Sequence, residues 1–265
     1  MKIAAYVRGV GVLGPGLGNW EEASAALSGA RAYEPQRAVL PMPALLPPAE
    51  RRRIGRVVKL ALAVASEATT RAGARPADLA SVFSSSGGDG HNCHEICEAL
   101  AAAQREISPT RFSNSVHNAP AGYWSIATGA MCASNVLCAY DASFGAGVLE
   151  AVVQVAADRE SVLLAAYDTE YPQPLRAKRP IPDAFGIALV FAPQRGTRSI
   201  ARIAISLTED PAEEFADPQL EALRRSIPAA RGLPLLRQLA ERRGGRTIID
   251  YLDDTRISIE VEPCG

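Results

Sequence analysis

Apolar runs typical of buried strands recur along the chain, separated by segments with helical spacing. The runs predict strands over residues 3–12, 81–86, 135–140, 162–166 and 187–191. Apolar positions at helical spacing predict helices after Asn19 and over residues 48–72, 91–106 and 142–157. Asn19 is a favoured N-cap, and Pro48 is a favoured first helical residue. This alternation is typical of the α/β class, in which helices cover both faces of a mainly parallel sheet.

The C-terminal part of the chain continues with the same kinds of pattern in shorter elements. Strands are predicted near residues 199–206, 246–251 and 256–261, and helices near 217–225 and 233–243. In the last strand, Ile257, Ile259 and Val261 alternate with other residue types, as in a half-buried strand. We therefore expect this part to contain both helices and strands.

Composition and charge narrow the class of protein without identifying a reaction. The 265 residues are 48% hydrophobic and 22% charged, which fits one large globular domain or two small ones. Basic and acidic residues number 28 and 29, and this balance argues against nucleic acid as a partner. Five cysteines do not make a disulfide framework, so we expect reduced thiols and a cytoplasmic protein. No segment approaches the roughly 20 apolar residues of a membrane span.

The junction between the predicted strand 135–140 and the helix from residue 142 is the most informative segment. It reads Cys-Ala-Tyr-Asp-Ala-Ser-Phe-Gly-Ala-Gly over residues 138–147. At such an elbow a side chain projects away from the sheet, and the helix N-terminus supplies free N–H groups and positive potential. Enzymes place nucleophiles at elbows for these reasons.

Several motifs, taken in order, give the chain a resemblance to a known family. They are Val7–Val12 with Leu17–Trp20, the basic helix Arg51–Leu62, the glycine turn Ser85–Gly90, and Asn118, Gly122, Ser125, Ile126 and Gly129 before the elbow. Over roughly residues 1–195 the sequence resembles the N-terminal half of the β-ketoacyl synthases, the condensing enzymes of the thiolase fold. The resemblance implies a thiolase-like half, layered α-β-α, with a mainly parallel central sheet of about five strands. It also implies a single domain over residues 1–265, with residues 196–265 as a short C-terminal appendage.

Two departures from the family's pattern bear on function. Counted from Gly129 without gaps, the family's nucleophilic cysteine falls on Asp141, and a carboxylate cannot carry an acyl chain as a stable thioester. The family's catalytic histidines and lysine lie in its C-terminal half, whereas His91, His94 and His117 all precede the elbow here. No catalytic residue is therefore predicted. The combination resembles the chain-length factors, which pair with an active ketosynthase, and most of all the short ketosynthase-like proteins of bacterial aryl polyene pathways.

The resemblance also implies partners and surfaces. Such a subunit pairs with a full-length ketosynthase in polyketide or fatty-acid-type chain elongation, and meets the acyl carrier protein directly or through that partner. The residues implied to line the acyl tunnel or the subunit interface are Asn118, Tyr123, Trp124, Val136, Tyr140 and Phe144. The residues implied to receive the acidic carrier protein are Arg51, Arg52, Arg53 and Arg56. Plain core packing of the aromatic residues, and a solvated charged face for the arginines, remain open alternatives.

Other interpretations of the same residues stay open at this point. Asp141 could cap the following helix instead of contacting substrate or partner. The segment His91–Cys97 carries metal-binding residue types but lacks the second ligand pair of a zinc site, so neither a metal nor another cofactor is predicted. A stand-alone decarboxylase or hydrolase acting on carrier-protein thioesters could use Asp141 or Ser143, although no histidine lies beyond His117 to activate a serine. A homodimeric scaffold that presents carrier protein is a third hypothesis.

Overall fold

The computed structural model describes residues 2–265, and its elements follow the predicted order. The strands are β1 (Ile3–Leu13), β2 (Ala80–Ser84), β3 (Ser134–Leu137), β4 (Val162–Asp168), β5 (Phe185–Ala192), β6 (Ala201–Thr208), β7 (Gly245–Ile249) and β8 (Arg256–Pro263). The helices are α1 (Trp20–Leu27), α2 (Pro48–Arg51), α3 (Arg56–Ala72), α4 (Gly90–Ala101), α5 (Pro109–Ser113), α6 (Ala119–Thr128), α7 (Ser143–Asp158), α8 (Leu175–Lys178), α9 (Pro218–Ser226) and α10 (Leu233–Glu241). Short 3₁₀ turns span Pro76–Asp78, Tyr140–Ala142 and Pro228–Gly232.

Within residues 2–265 the strands form one eight-stranded sheet in the order β3-β2-β4-β5-β1-β6-β8-β7. The strands β6, β7 and β8 of the C-terminal part extend this sheet beyond β1. The sheet is therefore longer than the expected five strands, because the C-terminal part contributes three strands to it.

Among the five strands β3, β2, β4, β5 and β1, only β5 runs opposite to the others, so the central sheet is mainly parallel in direction, as expected. Across the described chain, β2 pairs in parallel with β3 and β4, whereas the other neighbouring strands pair antiparallel. The parallel strands are linked through the helices α4 to α7, as parallel neighbours require. The β4–β5 connection, residues 169–184, contains the four-residue helix α8 and lacks a long crossover helix. The chain therefore returns antiparallel there, a direction that hydrophobic periodicity does not encode.

Helices cover both faces of the sheet, which confirms the layered α-β-α class. One hydrophobic cluster packs α1, α7, α9 and α10 on residues such as Val82 and Leu164. A second cluster packs α3 and α6 on the alternate residues, such as Phe83 and Leu163. Successive residues of β2 and β4 thus serve opposite faces, because side chains alternate along a strand.

The predicted helix over residues 48–72 is two helices in the structure. Helix α2 ends at Arg51 and α3 begins at Arg56. Between them Ile54 turns inward and is 8% exposed, and Gly55 adopts extended backbone as the N-cap of α3. The prediction of one continuous helix was wrong because the run of arginines before Ile54 has no periodicity that marks the break.

Two glycines of β1 let α3 lie directly on the sheet. A Cβ on Gly9 would stand 2.1 Å from the Ala68 carbonyl oxygen, and one on Gly11 would stand 2.1 Å from that of Val64. Only a residue without a side chain permits this close approach of helix and strand. The two glycines within the motif Val7–Val12 thus have a packing role.

Candidate functional site

The elbow forms as predicted between β3 and α7. The chain leaves β3 at Leu137, passes through the turn Tyr140–Ala142 and enters α7 at Ser143. The hydroxyl of Ser143 donates to the Tyr140 carbonyl (2.7 Å) and accepts from the Ala139 N–H (3.0 Å). These two bonds hold the tight turn that presents Asp141.

The Asp141 side chain binds two arginines. Its Oδ1 forms an ion pair with Arg179, and its Oδ2 accepts a hydrogen bond from Arg231 Nη2 at 3.1 Å. Burial alone would lower the pKa of Arg179, but the hydrogen bond and charge of Asp141 raise that pKa above its ordinary value. The carboxylate therefore meets two cations at the position where the resemblance places a thiol.

The alternative in which Asp141 caps the following helix was wrong. Ala142 is the N-cap of α7, and the Asp141 carboxylate turns to the arginines instead. A guanidinium gives a carboxylate a charged hydrogen-bond donor, which is stronger than a neutral backbone N–H.

Sequence reasoning missed both arginines. Arg179 directly follows α8 in the β4–β5 connection, and Arg231 lies in the turn Pro228–Gly232, 90 residues beyond Asp141. The guanidinium of Arg179 also lies over the Tyr140 ring, 3.8 Å from its centroid. No local motif marks either residue, because each reaches the elbow through the tertiary fold alone.

A second carboxylate, Asp168, is buried at the end of β4. Its Oδ1 accepts from the Ser86 N–H (2.8 Å) and hydroxyl (2.7 Å), and its Oδ2 accepts from the Ala229 N–H (2.9 Å). Burial raises the pKa of Asp168 to about 6, against the lowering effect of these hydrogen bonds. Asp168 therefore joins the glycine turn, β4 and the C-terminal part of the chain.

The glycine turn is packed under Tyr171. A Cβ on Gly87 would meet the Tyr171 hydroxyl oxygen at 1.8 Å, and one on Gly90 would meet its Cδ1 at 1.8 Å. The motif Ser85–Gly90 thus has glycines where the β4–β5 connection presses on it. Its role in this chain is to seat that connection beside the elbow.

The four predicted docking arginines divide into two pairs. Arg53 forms an ion pair with Glu50 (3.0 Å), and Arg56 forms one with Glu170 (3.0 Å). Arg51 is half-buried at the end of α2, whereas Arg52 is exposed. Arg53 and Arg56 therefore already have intramolecular partners, and carrier-protein docking on this cluster stays a prediction.

The predicted tunnel and interface residues separate by burial. Trp124 and Phe144 are 1% and 0% exposed and belong to the hydrophobic core, and Tyr123 is buried with its hydroxyl donating to Asn114 Oδ1 (3.1 Å). Asn118 and Tyr140 are exposed, and Val136 is half-buried on β3. Trp124 and Phe144 thus pack as in the core-packing alternative, whereas an interface role for Asn118, Val136 and Tyr140 stays a prediction.

Several apolar side chains in the segments that flank β3 in the sequence are exposed. Among the described residues, β3 pairs with β2 alone and is an edge of the sheet. We call the β3 face the set of exposed apolar residues in the segments around it, Phe112, Val116, Ile126, Met131 and Tyr140. Exposed apolar surface beside a free strand edge is typical of a surface that another chain covers.

Two alternatives drawn from the sequence gain no support from the geometry. In residues 2–265 no group of three or more His, Cys, Asp or Glu side chains is placed to hold a metal ion. Ser143 is 2% exposed, and its hydroxyl makes two hydrogen bonds within the elbow turn. The hydroxyl is therefore not presented to a substrate. No helix of the described chain is long and apolar enough to cross a membrane.

Comparisons with known proteins define the class to which this fold and elbow belong. The sequence model described as "Beta-ketoacyl synthase, N-terminal domain" matches residues 20–243, and the chain belongs to this family. No curated protein sequence matches the chain.

Solved structures with the same fold include ketosynthase assemblies. A chain of a ketosynthase in complex with its chain length factor, from Xenorhabdus doucetiae, is 22% identical with a TM-score of 0.73, over 97% of this chain and 99% of that one. The ishigamide ketosynthase/chain length factor gives 12% identity and a TM-score of 0.75, over 99% of this chain and 100% of that one. A type II acyl-carrier protein in complex with its ketosynthase bound to the hexaketide gives 11% identity and a TM-score of 0.77, over 100% of both chains. At these identities the likeness shows the fold.

Proposed function

We propose that this chain is a non-catalytic, chain-length-factor-like subunit that pairs with an active β-ketoacyl synthase in acyl chain elongation. The observation that carries the proposal is the identity of residue 141 and its ion-pair partners. The residue at the nucleophile's elbow is a carboxylate bound by Arg179 and Arg231. A condensing enzyme needs a thiolate there to hold the acyl chain as a thioester.

The histidines support the same conclusion. The family's catalytic histidines belong to a C-terminal half, and the sequence has no histidine beyond His117. His94 lies on α4 and faces Glu98 at 3.3 Å, on the same helix. The 265 residues thus offer no histidine base downstream of the elbow, and the proposal assigns condensation to the partner.

The β3 face is the surface that the proposal assigns to the partner ketosynthase. It combines a free strand edge with exposed apolar side chains, and obligate interfaces are apolar and bury about 2,000 Å² or more. Similar solved structures include ketosynthases with chain length factors and a ketosynthase with an acyl-carrier protein. We extend both kinds of partner to this chain, in a cytoplasmic, aryl polyene-like polyketide or fatty-acid-type pathway.

Co-expression with a candidate partner ketosynthase, followed by size-exclusion chromatography, tests the proposal. The native chain should co-elute with the ketosynthase at the mass of a heterodimer. The substitutions Ile126→Glu and Val136→Glu should abolish co-elution, because an unpaired charge in an apolar interface costs several kcal/mol. The matched control is Leu207→Glu, which replaces an exposed apolar residue of β6 and should leave the pair intact.

Two results would contradict the proposal. One is a native chain that elutes as a monomer while the ketosynthase makes the same product lengths without it. The other is a stable homodimer of this chain that excludes the ketosynthase, which would favour the scaffold hypothesis.

A further inference from the structure

Helix α4 carries two cysteines that the proposed function does not use. Cys93 and Cys97 are both free and exposed, and they are four residues apart on this helix. Side chains at that spacing lie on the same face of a helix, one turn above the other. The two thiols are therefore neighbours on the surface of the chain, outside the hydrophobic core.

The two thiols influence each other. The pKa of Cys93 is raised, first by partial burial and next by the charge and hydrogen bonding of Cys97. Two thiolates this close repel each other, so they do not both ionise readily without a cation. A metal cation between the sulfurs removes that repulsion, because the thiolate is the form of cysteine that binds metal.

Helix α4 is anchored at its first turn and leaves the cysteines accessible. The Asp89 carboxylate accepts from the Asn92 N–H at 3.0 Å, and Asn92 Nδ2 donates to the Arg111 carbonyl at 2.8 Å. Gly90 and Asn92 are the buried residues of this helix. The turn that carries Cys93 and Cys97 is therefore helical, and both thiols remain open to solvent.

The spacing on α4 favours a bridging ion over a disulfide. Side chains four residues apart on a helix hold their Cβ atoms about 5–6 Å apart, whereas a disulfide needs about 3.5–4.5 Å. Two metal–sulfur bonds of about 2.3 Å each span the wider gap. An ion thus fits the helix as it stands, while a disulfide between Cys93 and Cys97 requires the helix to distort.

The number of ligands decides which ion fits. Across residues 2–265 no three His, Cys, Asp or Glu side chains are placed to hold a metal together. The neighbouring His94 faces Glu98 at 3.3 Å. Structural zinc sites need four ligands, and iron–sulfur clusters are held by four thiolates. Soft thiolates select Cu(I), which two of them can bind in a linear arrangement.

We propose that Cys93 and Cys97 bind one soft monovalent metal ion, of the Cu(I) class, as a bridge across one turn of α4. Two sulfur–metal bonds form and both thiols release their protons, so one ion and two thiols give a bis-thiolate complex and two protons. No oxidant is needed, because the ion and the sulfurs keep their oxidation states. The site uses neither Asp141 nor the β3 face and does not depend on pairing with a ketosynthase.

Protection of the thiols from alkylation tests the site. The reduced, purified chain is mixed without oxygen with an equimolar amount of Cu(I), supplied as its acetonitrile complex, and then treated with iodoacetamide. Peptide mass spectrometry identifies the labelled cysteines. Cys93 and Cys97 should lose their labelling together, while the exposed Cys132 keeps it. Cys93→Ser and Cys97→Ser should each restore labelling of the remaining thiol, because one thiolate does not complete the site.

Two further variants show whether the spacing on the helix matters. Cys132→Ser should leave the protection intact. Cys97→Ser combined with Glu98→Cys keeps the number of thiols but moves the second one off the face that carries Cys93, so Cys93 should be labelled again. Protection of Cys93 that survives in this double variant, or that extends equally to Cys132 in the native chain, would show binding by single thiols and overturn the proposal. An unprotected native chain, or a disulfide between Cys93 and Cys97 in place of the metal complex, would overturn it as well.

Discussion

Asp141 and Arg231 are joined across 90 residues of sequence by a hydrogen-bonded ion pair of 3.1 Å. Asp141 belongs to the elbow before α7, and Arg231 belongs to the turn before α10. With Arg179 on the other carboxylate oxygen, the elbow is tied to both the β4–β5 connection and the C-terminal part. The elbow between β3 and α7 is thus held by ion pairs to two distant segments of the chain.

The Asp141 junction predicts a loss of stability on neutralisation. Asp141→Asn should lower the free energy of unfolding by about 1–2 kcal/mol, since it leaves two arginines without their carboxylate but the site is partly open to solvent. Chemical denaturation of the purified chain measures this difference. The control is Glu260→Gln, which removes the solvent-exposed ion pair between β8 and Lys2 and should have little effect. An Asp141→Asn protein as stable as the native chain would contradict the structural role.

The buried Asp168 predicts a pH dependence of stability. Its pKa is raised from 3.8 to about 6 in the folded chain, so the folded state holds a proton that the unfolded state releases over that range. The contribution of Asp168 to the free energy of unfolding should therefore fall by about 2 kcal/mol as pH rises from 4 to 6.

Denaturation curves of the native chain and of Asp168→Asn, compared across this pH range, isolate the effect. The Asn variant loses hydrogen bonds at every pH, because its amide group faces an N–H or hydroxyl donor of Ser86 or Ala229. The difference between the two proteins should therefore be largest near pH 4. A difference that grows with rising pH would show that Asp168 is stabilised as a carboxylate.

Trp124 and Ile126 should respond differently to truncation, although both lie on α6. Trp124→Ala should lower the free energy of unfolding by about 3–5 kcal/mol, because Trp124 is 1% exposed in the core. Ile126→Ala should change it by less than about 0.5 kcal/mol, because Ile126 is 55% exposed. Thermal or chemical unfolding of the two variants checks this contrast. Equal losses would place Ile126 in the core and remove it from the β3 face.

Much of the fold could be predicted from the sequence, because periodicity and capping report local structure. Asn19 caps α1 through a bond to the Glu22 N–H, and Trp20 packs inward, as the pattern indicates. The direction of β5 could not be predicted, since an apolar run looks the same in a parallel or an antiparallel strand. Neither could the break before Arg56, which depends on the inward turn of Ile54.

The sequence predicted where the candidate site lies, but it did not predict which residues contact Asp141. The spacing from Gly129 placed Asp141 at the elbow, which the structure confirms. Its partners Arg179 and Arg231 follow from tertiary contacts between distant segments. The inward orientation of Trp124 likewise depends on which face of α6 meets the sheet, and a short helix with apolar residues on both faces leaves that open.

A condensation assay on the purified chain, without any ketosynthase, tests the central claim most directly. The native chain and Asp141→Cys are each supplied with acyl and malonyl carrier proteins, and ketoacyl product is measured by mass spectrometry. We predict no product from either form, because a thiol at residue 141 would still lack the downstream histidines of the family. Measurable ketoacyl product from either form, in a preparation free of ketosynthase, would show that the chain carries a catalytic set of its own.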